Sequence, residues 1–440
     1  MPPPLHLNRR ETLVFLGASA GSFIIPQSFT KAFVAQDLFD IEEISDWIRR
    51  MKRKDIIDNL KSWIGESTPP KTFLGASFLA GIYDIKPLPT GSHLHAVMMV
   101  ESAFQLIEDA PKSDKWRAAI WAMDNFAEAN EREVFRISQN WTLPPRPVLD
   151  IKDRPNAKNE LIAALDIFDP ERAERAMLGF FEAYSYEATC EQLWPYAARS
   201  FRDVGHRIIF AAQMDRTLMR IGTKFAEPAL RSLVLSLATD NAGTNTEHYH
   251  YARTLIKQIP ENRGAVEDSA RSLKILQTLR GLGSKDAQHC ILSELKVGTG
   301  SQTIWDGLRL YASELMLSRA GKKNVLPVHT VTEVEAFGYI FRRTRNDDTK
   351  YLMMFQAAAW IAMARDAISN IDGPYLTKPR IDTLPDAKVP KDILSAIESR
   401  DPAKVCARLE EFPGEDRIFM NHIRGALLQK CTQNHEFKYA

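Results

Sequence analysis

Apolar positions along the chain recur at three- and four-residue spacing, and sustained period-two alternation is missing, so the pattern predicts helices throughout. Over residues 38–64, Trp47, Ile48, Ile56, Ile57, Leu60 and Trp63 fall at helical spacing, with Arg49-Arg50 and Lys52-Arg53-Lys54 on the face expected to be solvated. Pro69-Pro70 closes that stretch. Residues 72–83 then read as a buried helix rich in Gly and Ala, residues 95–107 and 118–129 as two more, and residues 143–147 as a proline-rich break before residues 158–168. Asp169-Pro170-Glu171 is a helix start, because Asp caps free amides, Pro suits the first helical position and Glu suits the positive end of the helix; the same device recurs at Asp401-Pro402. Residues 173–240 are strongly helical and residues 241–245 form a loop. The expected fold class is all-α.

The helical pattern also repeats at an offset of about 232 residues. His95-Ala96-Val97-Met98-Met99-Val100-Glu101 answers His329-Thr330-Val331-Thr332-Glu333-Val334-Glu335. Upstream, Phe73-Leu74-Gly75-Ala76 answers Trp305-Asp306-Gly307-Leu308, and downstream residues 164–170 answer residues 396–402. Three matches in one order imply an internally duplicated helical repeat, expected as stacked helix pairs closing into a curved disc or toroid. The expected layout is a leader at residues 1–35, an amphipathic region at 36–70, a first half at 71–240, an unduplicated helical insertion at 241–303 and a second half at 304–440.

With 57 basic against 56 acidic residues, no chain-wide field attracts nucleic acid. Cys190, Cys290, Cys406 and Cys431 lack CxxC spacing, which argues against a zinc ribbon and a disulfide-dense secreted module; they are expected as buried thiols. Asn8-Arg9-Arg10-Glu11-Thr12-Leu13 precedes a short apolar run rich in Gly and Ser and resembles a twin-arginine export signal, with Ala35 the nearest approach to a cleavage site. The expectation is an exported protein with no stable membrane span in the mature chain. Folded export is compatible with a cofactor already bound.

Candidate chemistry gathers on histidines. His95, His206 and His329 each stand at the start of an apolar helix, and a duplicated scaffold is expected to turn His95 and His329 toward common interior space. Converging imidazoles can bind a metal ion or a substrate carbonyl; alternatively, each ring is a helix cap or a satisfied core residue. Glu101 follows His95 by six residues, about 600° of helical rotation, so one helix does not aim both at one ion. His329 and Glu333, four residues apart, share a face and form the metal-ligating pair, and Met99 stands at the matching place in the first half. Glu101, Gln213, Glu335 and His250 are the further candidates for a substrate pocket; the His248-Tyr249-His250-Tyr251 run reads as a surface aromatic loop. No nucleophile elbow, phosphate-binding loop, HExxH helix or dinucleotide-binding glycine motif is present.

At its histidine-led helices, His95-Ala96-Val97, His206-Arg207-Ile208-Ile209 and His329-Thr330-Val331, the chain resembles the questin oxidase-like family over residues 73–364. That resemblance implies a helical oxidoreductase that opens polycyclic aromatic quinones by Baeyer–Villiger-type oxidation, with His95, His206 and His329 as catalytic residues lining an apolar, aromatic-binding cavity. The expected ligand is a small apolar or aromatic molecule, and the expected cofactor either a divalent metal or none. The alternatives are a non-enzymatic helical-repeat binding scaffold and a metalloprotein centred on His329 and Glu333.

Overall fold

The computed structural model describes residues 39–64, 69–88, 92–110, 115–137, 141–149, 154–239, 246–261, 265–317, 325–368 and 395. The leader, the loop at 241–245, the 396–402 match with Asp401-Pro402, Cys406 and Cys431 lie outside the described residues. What is described is all-α: the one β pairing among these residues is an isolated bridge between Val266 and Thr299. No helix among them is long and apolar enough to cross a membrane.

The amphipathic start forms α1 (Phe39–Arg50) and α2 (Ile56–Ile64). Ile41, Ile44, Ile48, Ile56 and Leu60 are buried, whereas Ile57 is 54% exposed. Neighbouring helical residues lie about 100° apart, so on this one-sided helix the burial of Ile56 turns Ile57 toward the solvated face. The basic cluster is more engaged than a solvated face: Arg49 donates to both oxygens of Asp84 at 2.8 Å, and Arg53 reaches Asp124 at 2.7 Å.

α3 (Pro70–Asp84) starts on a proline and is buried on every side from Thr72 to Ile82, so it forms a central post of the N-terminal part. α1 and α6 (Lys115–Ile137) pack against it, and between them in sequence come α4 (His95–Met98) and α5 (Val100–Asp109). A Cβ at Gly75 would stand 3.0 Å from Ile221 and 3.1 Å from Ile41; at the matching Gly307 it would stand 2.8 Å from Ile275. Both glycines therefore allow close helix approach. α7 (Arg154–Asp166) and α8 (Pro170–Ala183) form a tight hairpin, with the Asp169 carboxylate capping α8 through the Arg172 amide at 3.1 Å. α9 (Tyr186–Ala197), α10 (His206–Ile221) and α11 (Ala226–Ala238) follow.

The C-terminal part contains α12 (Glu247–Ile256), α13 (Ser269–Leu279), α14 (Ser284–Lys296), α15 (Ser301–Leu317), α16 (Leu326–Arg343) and α17 (Asp347–Ala367). α17 is buried through most of its length and packs on α12, α14 and α16. The element that joins the two parts at the site is α10, which packs on α16 and also on α4 and α5. Cys190 is buried in α9 and Cys290 half-buried in α14, both as free thiols.

Candidate metal centre

Three helices each bring one histidine to a single place. His95 is the first residue of α4, His206 the first of α10, and His329 lies in the first turn of α16. All are buried, at 6%, 3% and 1% exposure. The Nε2 of His206 lies 3.1 Å from the Nε2 of His95 and 3.1 Å from that of His329, so His206 is the middle ring. The three ligand atoms all lie within 4.8 Å of one another. Two nitrogens bound to one ion at about 2.05 Å and 3.1 Å apart subtend about 100°, between tetrahedral and octahedral angles. From a separation of 4.8 Å the outer pair, His95 and His329, has to close by about 0.7 Å to come within the roughly 4.1 Å that two such bonds span end to end, and by about 1.7 Å to make the same angle of about 100°.

Hydrogen bonding on the far side of two rings decides what their Nε2 atoms offer. The Nδ1 of His329 contacts the Val325 carbonyl at 2.6 Å, and that of His206 contacts the Asp203 carbonyl. A carbonyl only accepts, so each Nδ1 carries the hydrogen, and in the neutral ring Nε2 then holds a bare lone pair. Two lone pairs facing each other at 3.1 Å repel unless a cation lies between them. This backbone anchoring of the remote nitrogen is also how metal-binding histidines are oriented.

The chain leading into His206 is strained. Asp203 and Val204 have left-handed backbones, at φ 53° and 48°, and Gly205 follows at 76°. Left-handed geometry costs about 1–2 kcal/mol at each residue with a side chain, and more for a β-branched one such as Val204. The turn aims the Asp203 carbonyl at His206 and leaves the Cα of Gly205 bare against Glu333: a Cβ there would lie 1.8 Å from a Glu333 carboxylate oxygen.

Glu333 stands one turn beyond His329 on α16 and is 0% exposed. Neither carboxylate oxygen has a hydrogen-bond partner, and burial pushes the group well above the usual carboxylate range. It lies against Gly205, and the ligand atoms that come within 4.8 Å of one another are those of the three histidines alone.

The other expected pocket residues occupy a different layer. Glu101 follows His95 by six residues, Gln213 follows His206 by seven and Glu335 follows His329 by six, about 9–10 Å of helical rise. Glu101 is held by Arg220 at 2.7 and 2.9 Å, Gln213 accepts from Arg216 at 3.2 Å, and Glu335 accepts from Arg309 at 2.9 Å with Arg216 at 3.8 Å. These three gather in an arginine-rich layer beside an open cleft of about 380 Å³ lined by Glu101, Gln105, Arg216, Met219, Arg220 and Tyr339. A second cleft, about 440 Å³, runs between Ser185, Glu191, Trp194, Arg343 and Asn346. None of the three clustered histidines lines either cleft.

His250 is exposed on α12, edge-on to Tyr249, while His248 is buried against Phe201 at 6.0 Å between ring centroids. The run is helical where a loop was expected, so the two rings lie about 200° apart and serve different environments. Burial lowers the His248 pKa.

A further buried site carried no signal in sequence. Asp215, 0% exposed, accepts from Tyr186 at 2.8 Å, Tyr339 at 2.6 Å and Arg343 at 3.0 Å. Burial, followed by the neighbouring Asp215 charge, pushes the Tyr339 hydroxyl above its ordinary range. Partners from α9 and α16 come to one carboxylate only through tertiary packing, which one-dimensional spacing does not encode.

These features define an all-α protein with a buried cluster of three imidazoles and, one helical turn beyond one of them, an unpartnered buried carboxyl group. No protein family, no curated protein and no solved structure matches the chain.

Proposed function

We propose that His95, His206 and His329 hold one divalent transition-metal ion, and that this centre belongs to an oxidoreductase acting on an apolar aromatic or quinone-type molecule. The observation that carries the reading is the 3.1 Å Nε2 contact between His206 and His329, two rings whose Nδ1 hydrogens are committed to backbone carbonyls. An added proton is the other way to relieve that contact, but it buries an imidazolium near the positive ends of α10 and α16. A metal ion is bound by the lone pairs themselves.

Three neutral nitrogen donors leave coordination positions open, the arrangement of a reactive centre; structural zinc sites are closed by four protein ligands. When bound, such an ion supplies a place for dioxygen and an acidic phenol to meet. The chain's own contribution is to fix the donors and exclude water: Ala96, Val97 and Met98 follow His95, Ile208, Ile209 and Phe210 follow His206, and all are buried. In the reaction class that the resemblance implies, one oxygen atom of dioxygen enters the ring between a carbonyl carbon and its neighbour. The carbon–carbon bond is replaced by two carbon–oxygen bonds, and the second oxygen leaves as water, taking up a hydride from a reduced nicotinamide supplied in solution and a proton from solvent. The same reading treats residues 73–101 and 305–335 as equivalent parts of a duplicated, curved array, supported by Gly75 and Gly307 at matching close approaches. It takes Arg9-Arg10 as the mark of export in the folded, loaded state.

Oxygen uptake by metal-loaded protein, with a polycyclic hydroxyquinone and reduced nicotinamide, tests the oxidoreductase reading. Uptake that depends on the quinone and falls at least about 100-fold in His206→Ala is expected, the loss of a ligand exceeding that of an outer-shell partner. Equal uptake by the wild type and His206→Ala contradicts it.

A further inference from the structure

From the seat of Glu333 we infer that its carboxylate is a fourth ligand, making the centre a three-histidine, one-carboxylate site suited to a five- or six-coordinate ion such as Fe²⁺ or Mn²⁺. The inference rests on the three-histidine reading and sharpens it. Four residues along a helix is about 400° of rotation, so Glu333 and His329 project from one face about 6 Å apart along the axis. On its other side the carboxylate meets Gly205, the residue that precedes His206. Glu333 is thus joined through the chain to two of the three rings, by one helical turn and by one peptide link, and its carboxylate has to swing toward a donor set whose mutually close atoms are the three imidazole nitrogens.

Two features of the surroundings favour a metal-bound carboxylate over a structural one. Both oxygens of Glu333 lack a hydrogen-bond partner although the residue is wholly buried, whereas buried carboxylates elsewhere in the protein are met by arginine: Glu101 by Arg220, Glu314 by Arg280 and Glu174 by Arg231. Charge gives the second reason. Three neutral imidazoles leave a divalent ion at its full +2 in a core that also faces the positive ends of α10 and α16, and one carboxylate halves that charge.

The glycine and the left-handed turn before it supply the room. Any side chain at position 205 would occupy the place of the carboxylate, and the turn at Asp203 and Val204 sets that place beside His206. Oxygen in the donor set shifts preference away from Cu⁺ and other soft ions and toward harder ones of higher coordination number.

The test is a Co²⁺ titration of chelator-treated full-length protein at neutral pH, read by affinity and by the visible d–d bands, with thermal melting as a control for folding. Glu333→Gln is expected to bind Co²⁺ at least about tenfold more weakly and with stronger d–d absorption, as coordination number falls. If that variant does not fold, Glu333→Met, of similar volume, is read the same way. Wild-type affinity and an unchanged spectrum in the substituted protein overturn the role of Glu333 while leaving the three-histidine centre standing. Absence of Co²⁺ binding by the wild type overturns both.

Discussion

Two carboxylates on the same pair of helices have opposite surroundings. Asp215 on α10 is met by a phenol from α9 and by a phenol and a guanidinium from α16, so its charge is matched and its lone pairs are used. Glu333 on α16 is equally buried and met by none of these. His206 pairs with His329 near the start of the two helices, and Asp215 pairs with Tyr339 and Arg343 further along both, so α10 and α16 run in the same sense with the two sites in successive layers. One layer is finished by the protein alone, as structural ion pairs are. The other leaves a wholly buried carboxyl group without a hydrogen-bond partner from the protein.

The largest difference between the layers should appear on removing each carboxylate. Asp215→Ala leaves Arg343, the buried Tyr186 hydroxyl and the half-buried Tyr339 hydroxyl without their acceptor, and a loss of about 3–5 kcal/mol is expected in urea unfolding, with metal content per folded protein unchanged. An effect under about 1 kcal/mol would show that the Asp215 layer is not a structural ion pair. In chelator-treated protein, Glu333→Met should instead stabilise, by about 1–3 kcal/mol, because an unsatisfied buried polar group is replaced by an apolar one of similar size. Destabilisation would mean that Glu333 already has a partner.

A smaller effect is expected from pH. The Glu333 carboxyl is raised by burial, so above the unfolded-state value of about 4.3 the unfolded chain releases a proton that the folded chain retains. That contribution makes the metal-depleted wild type lose stability as pH rises from there toward the folded-state value, by up to about 1.4 kcal/mol per pH unit, and Glu333→Gln should lack it. Parallel pH profiles for the two proteins would contradict the assignment.

Helix class and several boundaries were legible because they depend on local chemistry. The cap at Asp169, the proline start of α3 and the buried stretch from Thr72 to Ile82 follow from residue type and spacing. His95, His206 and His329 were legible as helix-leading residues, and the duplicated pattern pointed His95 and His329 at one another. What spacing could not supply was depth along parallel helices. Glu101, Gln213 and Glu335 are pocket candidates in the sequence, and two helical turns of rise from the histidines place them in the arginine layer. The sequence pairing of Glu333 with His329 alone also missed its contact with Gly205, although a glycine just before a helix-leading histidine was the available signal. The Asp203–Val204 turn had none, since neither residue type favours three successive left-handed backbones.

Metal content tests the central claim most directly. Wild-type protein purified without an affinity tag, analysed for first-row transition metals beside His206→Ala, should carry about one ion per chain, and the variant, deprived of the middle ring, close to none. Metal-free wild-type protein that also takes up no ion on dialysis against Fe²⁺, Mn²⁺, Co²⁺ or Zn²⁺, or equal loading of the two proteins, would contradict it.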